Sequence, residues 1–325
     1  MRAIVVGQAG GPEVLQLSEV NDPKPGPGEL LVKVGATGVN FIETYQRSGL
    51  YPVNLPFTPG AETAGHVLAV GEGVTDFKPG DRVATVDARG SYAEQVIVPA
   101  ERAVAVPDGV DIETAGAAIL QGMTAHYLTQ STYPVKAGET ALVHAAAGGM
   151  GLLLTQLVKA VGGKVIGTVS SEAKAKLATE AGADEVIRYD QVSGEELAQE
   201  VRHRNGGQGV HVAYDGVGKD TVEASLGALR VRGMLVSFGN ASGPVPPVAP
   251  LRLMQGGSLF LTRPTLGNYI VARQELEWRA GDVFRWIQEG ALNVLVGAKY
   301  PLGEAGLAQQ DLESRKTTGK LLLIP

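Results

Sequence analysis

Beginning near residue 140, short apolar runs alternate with stretches of helical length, and this rhythm constrains the fold more than any other feature of the chain. Thr140-Ala141-Leu142-Val143-His144-Ala145 reads as a strand, Leu152 to Val161 as a helix, and Lys164-Val165-Ile166-Gly167-Thr168-Val169 as a second strand. A helix near Glu172 to Ala181 and a strand from Asp184 to Ile187 complete a βαβαβ unit. A second set follows: a helix near Glu195 to Arg204, a strand Gly209 to Tyr214, a helix Thr221 to Leu229, a strand Met234 to Phe238 and a sixth strand from Gly257 to Thr262. Alternation of this kind implies a doubly wound parallel sheet with right-handed crossovers.

Upstream the pattern differs. To about residue 120 the apolar runs are rich in Val and Ile and are broken at short intervals by Gly, Pro, Asn or Asp, as in Glu29 to Val39, Thr63 to Val70, Arg82 to Val86 and Tyr92 to Val98. That predicts a β-rich, barrel-like domain. Beyond Pro264 come one long helical segment, Ala272 to Glu289, and short strands ending in Lys320 to Ile324. Some 60 residues are thin for an independent core, so this tail is expected to return to the first domain. The expected domains are thus 1–122 with 266–325, and 123–265, in line with 325 residues at about 150 per domain.

A net charge of -6 with scattered basic residues provides no face for a phosphate backbone, so small molecules rather than nucleic acids are the expected partners. The chain has no cysteine, which excludes disulfides, a thiol nucleophile and a thiolate metal site. No apolar run is long enough to span a bilayer, and Met1-Arg2-Ala3-Ile4-Val5-Val6-Gly7 reads as a strand rather than a signal peptide. A cytoplasmic protein without membrane attachment is expected. His66, His126, His144, His203 and His211 are dispersed without metal-ligand spacing, so no metal site is expected.

Between the first strand and helix of the alternating region lies Ala145-Ala146-Ala147-Gly148-Gly149-Met150-Gly151, where a dinucleotide fingerprint belongs. Aligned on G-x-G-x-x-G, Ala146 takes the first glycine position and Gly148 and Gly151 the second and third. Gly148 lets the backbone approach a pyrophosphate, and Gly151 lets helix and strand pack closely, leaving the helix N-terminal amides for the anion. His144, just before the loop, is expected to form a supporting hydrogen bond. Asp215 and Gly216-Val217-Gly218, at the end of the fourth strand, are expected to border the cofactor. The second strand runs into Ser170-Ser171-Glu172-Ala173-Lys174, placing serines and a cation where an acid would hold the ribose 2′-hydroxyl of NAD. A 2′-phosphate is favoured, hence NADPH, and a serine can cap the helix as well.

Gly138-Glu139, Leu142, Ala146-Ala147-Gly148-Gly149, Gly151, Gln156 and Lys159 together resemble the signature of the zinc-free quinone oxidoreductases, or zeta-crystallins, of the medium-chain dehydrogenase/reductase superfamily. Gly60-Ala61-Glu62-Thr63-Ala64-Gly65, Val70-Gly71 and Lys78-Pro79-Gly80-Asp81-Arg82-Val83 resemble the superfamily's catalytic-domain motif, with Asn40 and Ala61 standing where the zinc enzymes have Cys and His. Arg47-Ser48-Gly49-Leu50-Tyr51-Pro52, Ser237-Phe238-Gly239-Asn240 and Leu312-Glu313-Ser314-Arg315 carry the resemblance nearly end to end.

The resemblance implies a GroES-like catalytic domain around an inserted Rossmann domain, an interdomain site and a homodimer built on the cofactor domains. Matched position by position, it implies that Asn40, Tyr45, Tyr51 and Thr124 line the nicotinamide and quinone pocket. Ala147, Gly148, Gly149, Met150 and Gly151 would form the phosphate loop, and Ser170, Ser171, Lys174, Tyr189 and Arg315 would surround the 2′-phosphate. Phe238 and Asn240 would lie near the nicotinamide. Asn40 and the tyrosine hydroxyls are expected to orient the quinone carbonyl and stabilise charge developing on it. An NADPH-dependent reductase of enones or alkenals and a nucleotide-binding protein without enzymatic activity are the alternative readings.

Overall fold

A computed structural model of the chain describes residues 1–192 and 194–325. The chain divides into two compact units, Met1–Met123 with Ile270–Pro325, and Thr124–Tyr269. The first unit opens with the antiparallel pair β1 (Arg2–Val5) and β2 (Gln16–Glu19). Its central strand is β3 (Glu29–Val39), where alternation buries Leu30, Val32 and Val34 while Lys33 faces solvent. A short helix, α1 (Phe41–Arg47), follows directly, and β4 (Thr63–Val70), β5 (Arg82–Thr85), β6 (Gln95–Pro99) and β7 (Val104–Ala105) continue the unit. Val67, Val83, Val96 and Val98 close the core over the inward face of β3. The long helix α2 (Ile112–Tyr127) carries the chain from one unit's residues to the other's.

The second unit is built from β8 (Thr140–Val143), α3 (Gly149–Ala160), β9 (Lys164–Val169), α4 (Glu172–Glu180), β10 (Glu185–Arg188), α5 (Gly194–Arg204), β11 (Val210–Asp215), α6 (Val222–Ala228), β12 (Leu229–Ser237), α7 (Pro250–Gln255) and β13 (Phe260–Thr262). Its strands lie in the order β10-β9-β8-β11-β12-β13, every pair parallel. From β8 the chain winds outward one way through β9 and β10, then the other way through β11, β12 and β13. The carboxyl ends of β8 and β11 therefore form the switch point at which open α/β sheets bind ligands. The helix α7, with Pro250 at its first turn, was not anticipated, and β13 is shorter than the expected strand because Gly257 and Ser258 take left-handed φ of 109° and 56°.

The remaining elements, α8 (Arg273–Gln288), β14 (Val296–Pro301), α9 (Ala305–Glu313) and β15 (Lys320–Ile324), belong to the first unit. There β15 lies parallel to β14 and antiparallel to β3, in a seven-stranded sheet ordered β14-β15-β3-β4-β5-β7 with β6 also on β3. The register sets Leu321 opposite Val39, so Lys320 arrives beside Asn40, the residue that begins α1.

Candidate functional site

In the first unit the site is organised by the start of α1. Asn40 is its N-cap and Glu43 its N3 residue, in a reciprocal capping box whose backbone Asn40 N–H donates to Glu43 Oε2 at 2.7 Å. One helical turn on, Tyr45 stacks near Phe41 with ring centroids 6.2 Å apart, and Tyr51 meets Tyr45 edge-on at 5.3 Å. The Tyr51 amide donates to the Tyr45 carbonyl at 3.0 Å, which folds the following loop back over the helix. The sequence thus brings two phenols onto one aromatic cluster, with Tyr51 partly exposed.

Behind them lies a buried polar cluster. Lys320 Nζ donates to Asn40 Oδ1 at 2.5 Å and to Glu62 Oε2 at 2.6 Å, while the Leu120 amide donates to Glu62 Oε1 at 2.8 Å. Asn40 Nδ2 donates to Glu62 Oε2 at 2.8 Å and to the Gly38 carbonyl at 3.3 Å. Gly38 must lack a side chain because Glu62 and Lys320 fill the space its Cβ would need. Both amide hydrogens of Asn40 are bonded inside the unit. As folded, Asn40 positions Lys320 and the start of α1. The donor set does not fit zinc, because the acid of this cluster already holds an ammonium group.

In the second unit Gly148 is the N-cap of α3, and no side chain caps that end. The first helical amides lack intrahelical acceptors, so Gly149 and Met150 offer donors to an anion. The two glycines do different work. A Cβ on Gly151 would collide with the Ala145 carbonyl and stand 2.6 Å from Ala146 Cα, so helix and strand require glycine there. A Cβ on Gly148 would meet only the Ala145 oxygen at 3.3 Å, leaving the open space on the side where a pyrophosphate would sit. Ala147 is buried beneath this turn. The loop fits a dinucleotide.

His144 supports the loop from below. Its Nδ1 is 2.9 Å from Thr168 Oγ1 and its Nε2 2.9 Å from Ser225 Oγ, while Ser225 donates to Asp215 Oδ2 at 2.7 Å. Because the Ser225 proton is directed to Asp215, Ser225 accepts from His144 Nε2–H, and Nδ1 accepts from Thr168. Burial pushes the imidazole pKa down, with the nearby Asp215 charge opposing, and keeps the ring neutral. Asp215 also accepts from the amides of Val217 and Gly218 and from Thr221. The carboxyl is buried and ties β11 to α6, with Gly216 and Gly218 in the turn that follows it.

At the far end of β9, Ser171 is the N-cap of α4, accepting from the Lys174 amide at 3.4 Å, and Lys174 occupies the third helical position. Partial burial lowers the Lys174 ammonium pKa, the mark of a cation partly stripped of water and well served by an anion. Ser170 precedes the cap, and the Tyr189 amide donates to the Val169 carbonyl at 3.0 Å, joining the two strand ends. A second cation, Arg188, was not foreseen. It pairs with Glu172 at 3.2 Å and Asp190 at 2.8 Å, and those acids raise its pKa. Its signal was one residue away, since Arg188 precedes the tyrosine already singled out.

Phe238 and Asn240 follow β12, the Phe238 amide donating to the Asp215 carbonyl at 2.8 Å, and the Phe238 ring lies where a Cβ on Gly216 would stand. Thr124 lies on α2 among the residues of the second unit. Arg315 belongs to the first unit, exposed on the left-handed turn (φ 58°) that ends α9. Among the described residues no three acidic or histidine side chains form a metal-ligand group.

Known proteins share this arrangement. Residues 26–108 match the alcohol dehydrogenase GroES-like domain and residues 149–287 the zinc-binding dehydrogenase domain. A quinone oxidoreductase of Pseudomonas aeruginosa is 48% identical over 318 residues, 97% of either chain. A mycobacterial structure in complex with NADPH is 51% identical with a TM-score of 0.98, covering 100% of both chains. The Escherichia coli quinone oxidoreductase in complex with NADPH is 45% identical, with a TM-score of 0.97 and 100% of both chains covered. Likeness of that extent, over both units and through the phosphate loop, places the chain in the quinone oxidoreductase family of the medium-chain dehydrogenase/reductase superfamily.

Proposed function

We propose that the chain is an NADPH-dependent quinone oxidoreductase, and the observation that carries this is its full-length likeness to an enzyme of that name solved with that cofactor. Bound NADPH supplies the hydride. The protein binds and orients. The amides of Gly149 and Met150, with Ala147, Gly148 and Gly151 shaping the turn, hold the pyrophosphate. Ser170, Ser171, Lys174 and Tyr189 bind the 2′-phosphate, and Thr124, Phe238 and Asn240 border the nicotinamide. A quinone carbonyl is already electrophilic, so orientation and hydrogen bonding suffice to activate it. The hydroxyls of Tyr45 and Tyr51 are the donors for its oxygen as negative charge develops there. Asn40 keeps α1, and with it Tyr45, in place.

The working form is proposed to be a homodimer. The edge strand β13 presents an unpaired ladder, flanked by the exposed side chains of Val231, Leu251, Met254 and Phe260. No helix among the described residues is long and apolar enough to cross a membrane, and the cytoplasm is the proposed compartment. Turnover of NADPH with a series of benzoquinones beside a series of enones and alkenals tests the reading. Quinone turnover is expected. Turnover of enones alone, or tight NADPH binding with neither, overturns it.

A further inference from the structure

The start of α4 holds two opposed requirements. Glu172 is its first helical residue, where an acid complements the positive end of the helix. Lys174 follows two residues on, at the helix start proposed above as the seat of the 2′-phosphate. A carboxylate in that place repels a phosphate and suits the ribose 2′-hydroxyl of NADH instead. The Glu172 side chain is 84% exposed, so packing does not hold it away.

Arg188 holds it from the neighbouring strand. It ends β10 opposite Val169, the last residue of β9, and this register brings its side chain level with the turn into α4. The guanidinium is engaged on two sides. Its Nε and Nη2 donate to the two carboxylate oxygens of Asp190 at 3.3 and 2.8 Å, and its Nη1 donates to Glu172 Oε2 at 3.2 Å. Asp190 is set in a turn that the Gln191 amide closes on the Arg188 carbonyl at 3.1 Å. Asp190 therefore orients the fork, and the remaining edge grips Glu172. All of these residues lie within the second unit.

We infer, from the seat proposed above for the 2′-phosphate, that Arg188 is a positioning residue for cofactor choice: by holding and neutralising Glu172 it keeps the start of α4 receptive to NADPH. Two acids, Glu172 and Asp190, are balanced at this strand end by two cations, Lys174 and Arg188. Without Arg188 the balance turns negative, against a ligand group that is itself negative. A Glu172 carboxylate turned toward Arg188 is also drawn away from a ribose hydroxyl. Ion pairs this exposed contribute little to folding, so the arrangement is expressed in binding rather than in stability.

Equilibrium titration with NADPH and with NADH, followed by nicotinamide fluorescence without quinone and at low ionic strength, tests this. The two cofactors differ only in the 2′-phosphate. Loss of one positive charge beside a partly solvated phosphate should weaken NADPH binding in Arg188→Gln by about 3- to 10-fold, with NADH held within about twofold. Adding Glu172→Gln to Arg188→Gln should restore most of the lost affinity. A loss that this second change leaves in place makes Arg188 a direct ligand of the phosphate and overturns its role through Glu172. Wild type that prefers NADPH, with the preference unchanged in Arg188→Gln, overturns the role of Arg188 while leaving the seat of the phosphate intact. Wild type that binds both cofactors equally overturns the seat at α4 and the role of Arg188 together.

Discussion

Lys320 places an ammonium group against Glu62 in the core of the first unit. Removing one member of such a pair strands the other. Lys320→Met should therefore lower stability by about 3 to 5 kcal/mol, while Lys320→Met with Glu62→Gln should recover most of the loss. Urea midpoints of the two variants decide it, and a single variant as stable as wild type contradicts the pairing. Asn40 and Glu62 stood out in the sequence because they fall within recognisable motifs. Lys320 did not, being 258 residues from Glu62 and brought there only by the β15 register. The same register brings Lys320 to the Asn40 amide oxygen, a partner 280 residues away that no local pattern reveals.

At the scale of elements, the strand and helix rhythm after residue 140 was legible because the central strands β8, β9 and β11 are buried almost throughout and read as continuous apolar runs, with helices between successive strands. Short elements were not. The helix α1 has only seven residues, too few for a 3.6-residue period, although the Asn40-x-x-Glu43 capping box announces it. The phosphate turn yields a paired prediction. Gly148→Ala should fold with unchanged stability yet bind NADPH poorly, whereas Gly151→Ala, forcing a Cβ into backbone, should lose about 1 to 3 kcal/mol. Thermal melts beside NADPH titrations separate the two, and equal destabilisation contradicts the division of labour.

His144 sets a pH dependence for the same turn. Its folded pKa lies below the unfolded value of 6.5, so below that pH the unfolded chain takes up the proton first. The stability this residue contributes is present above 6.5 and lost as pH falls through the lowered folded value. Urea midpoints measured across that range should decline toward acid in wild type, and less steeply in His144→Gln. Equal slopes would assign the acid sensitivity elsewhere.

For the molecule as a whole, the division into two units was readable from the change of rhythm, while assembly depends on surface that sequence alone does not define. Phe260 is 54% exposed on a three-residue edge strand. If two copies associate there, Phe260→Lys should convert a dimer in sedimentation to a monomer with its fold intact. A wild-type monomer, or a variant that stays dimeric, moves the interface elsewhere. NADPH is the proposed hydride source, and its selection over NADH is assigned by that proposal to the start of α4. The measurement that tests it most directly is kcat/KM for NADPH and for NADH, with one benzoquinone, in wild type and in Lys174→Ala. A hydrogen bond to a charged group is worth about 1.5 to 3 kcal/mol, so the variant should lose about 10- to 100-fold with NADPH and little with NADH. Equal use of both cofactors by wild type, or equal losses with both in the variant, contradicts the account.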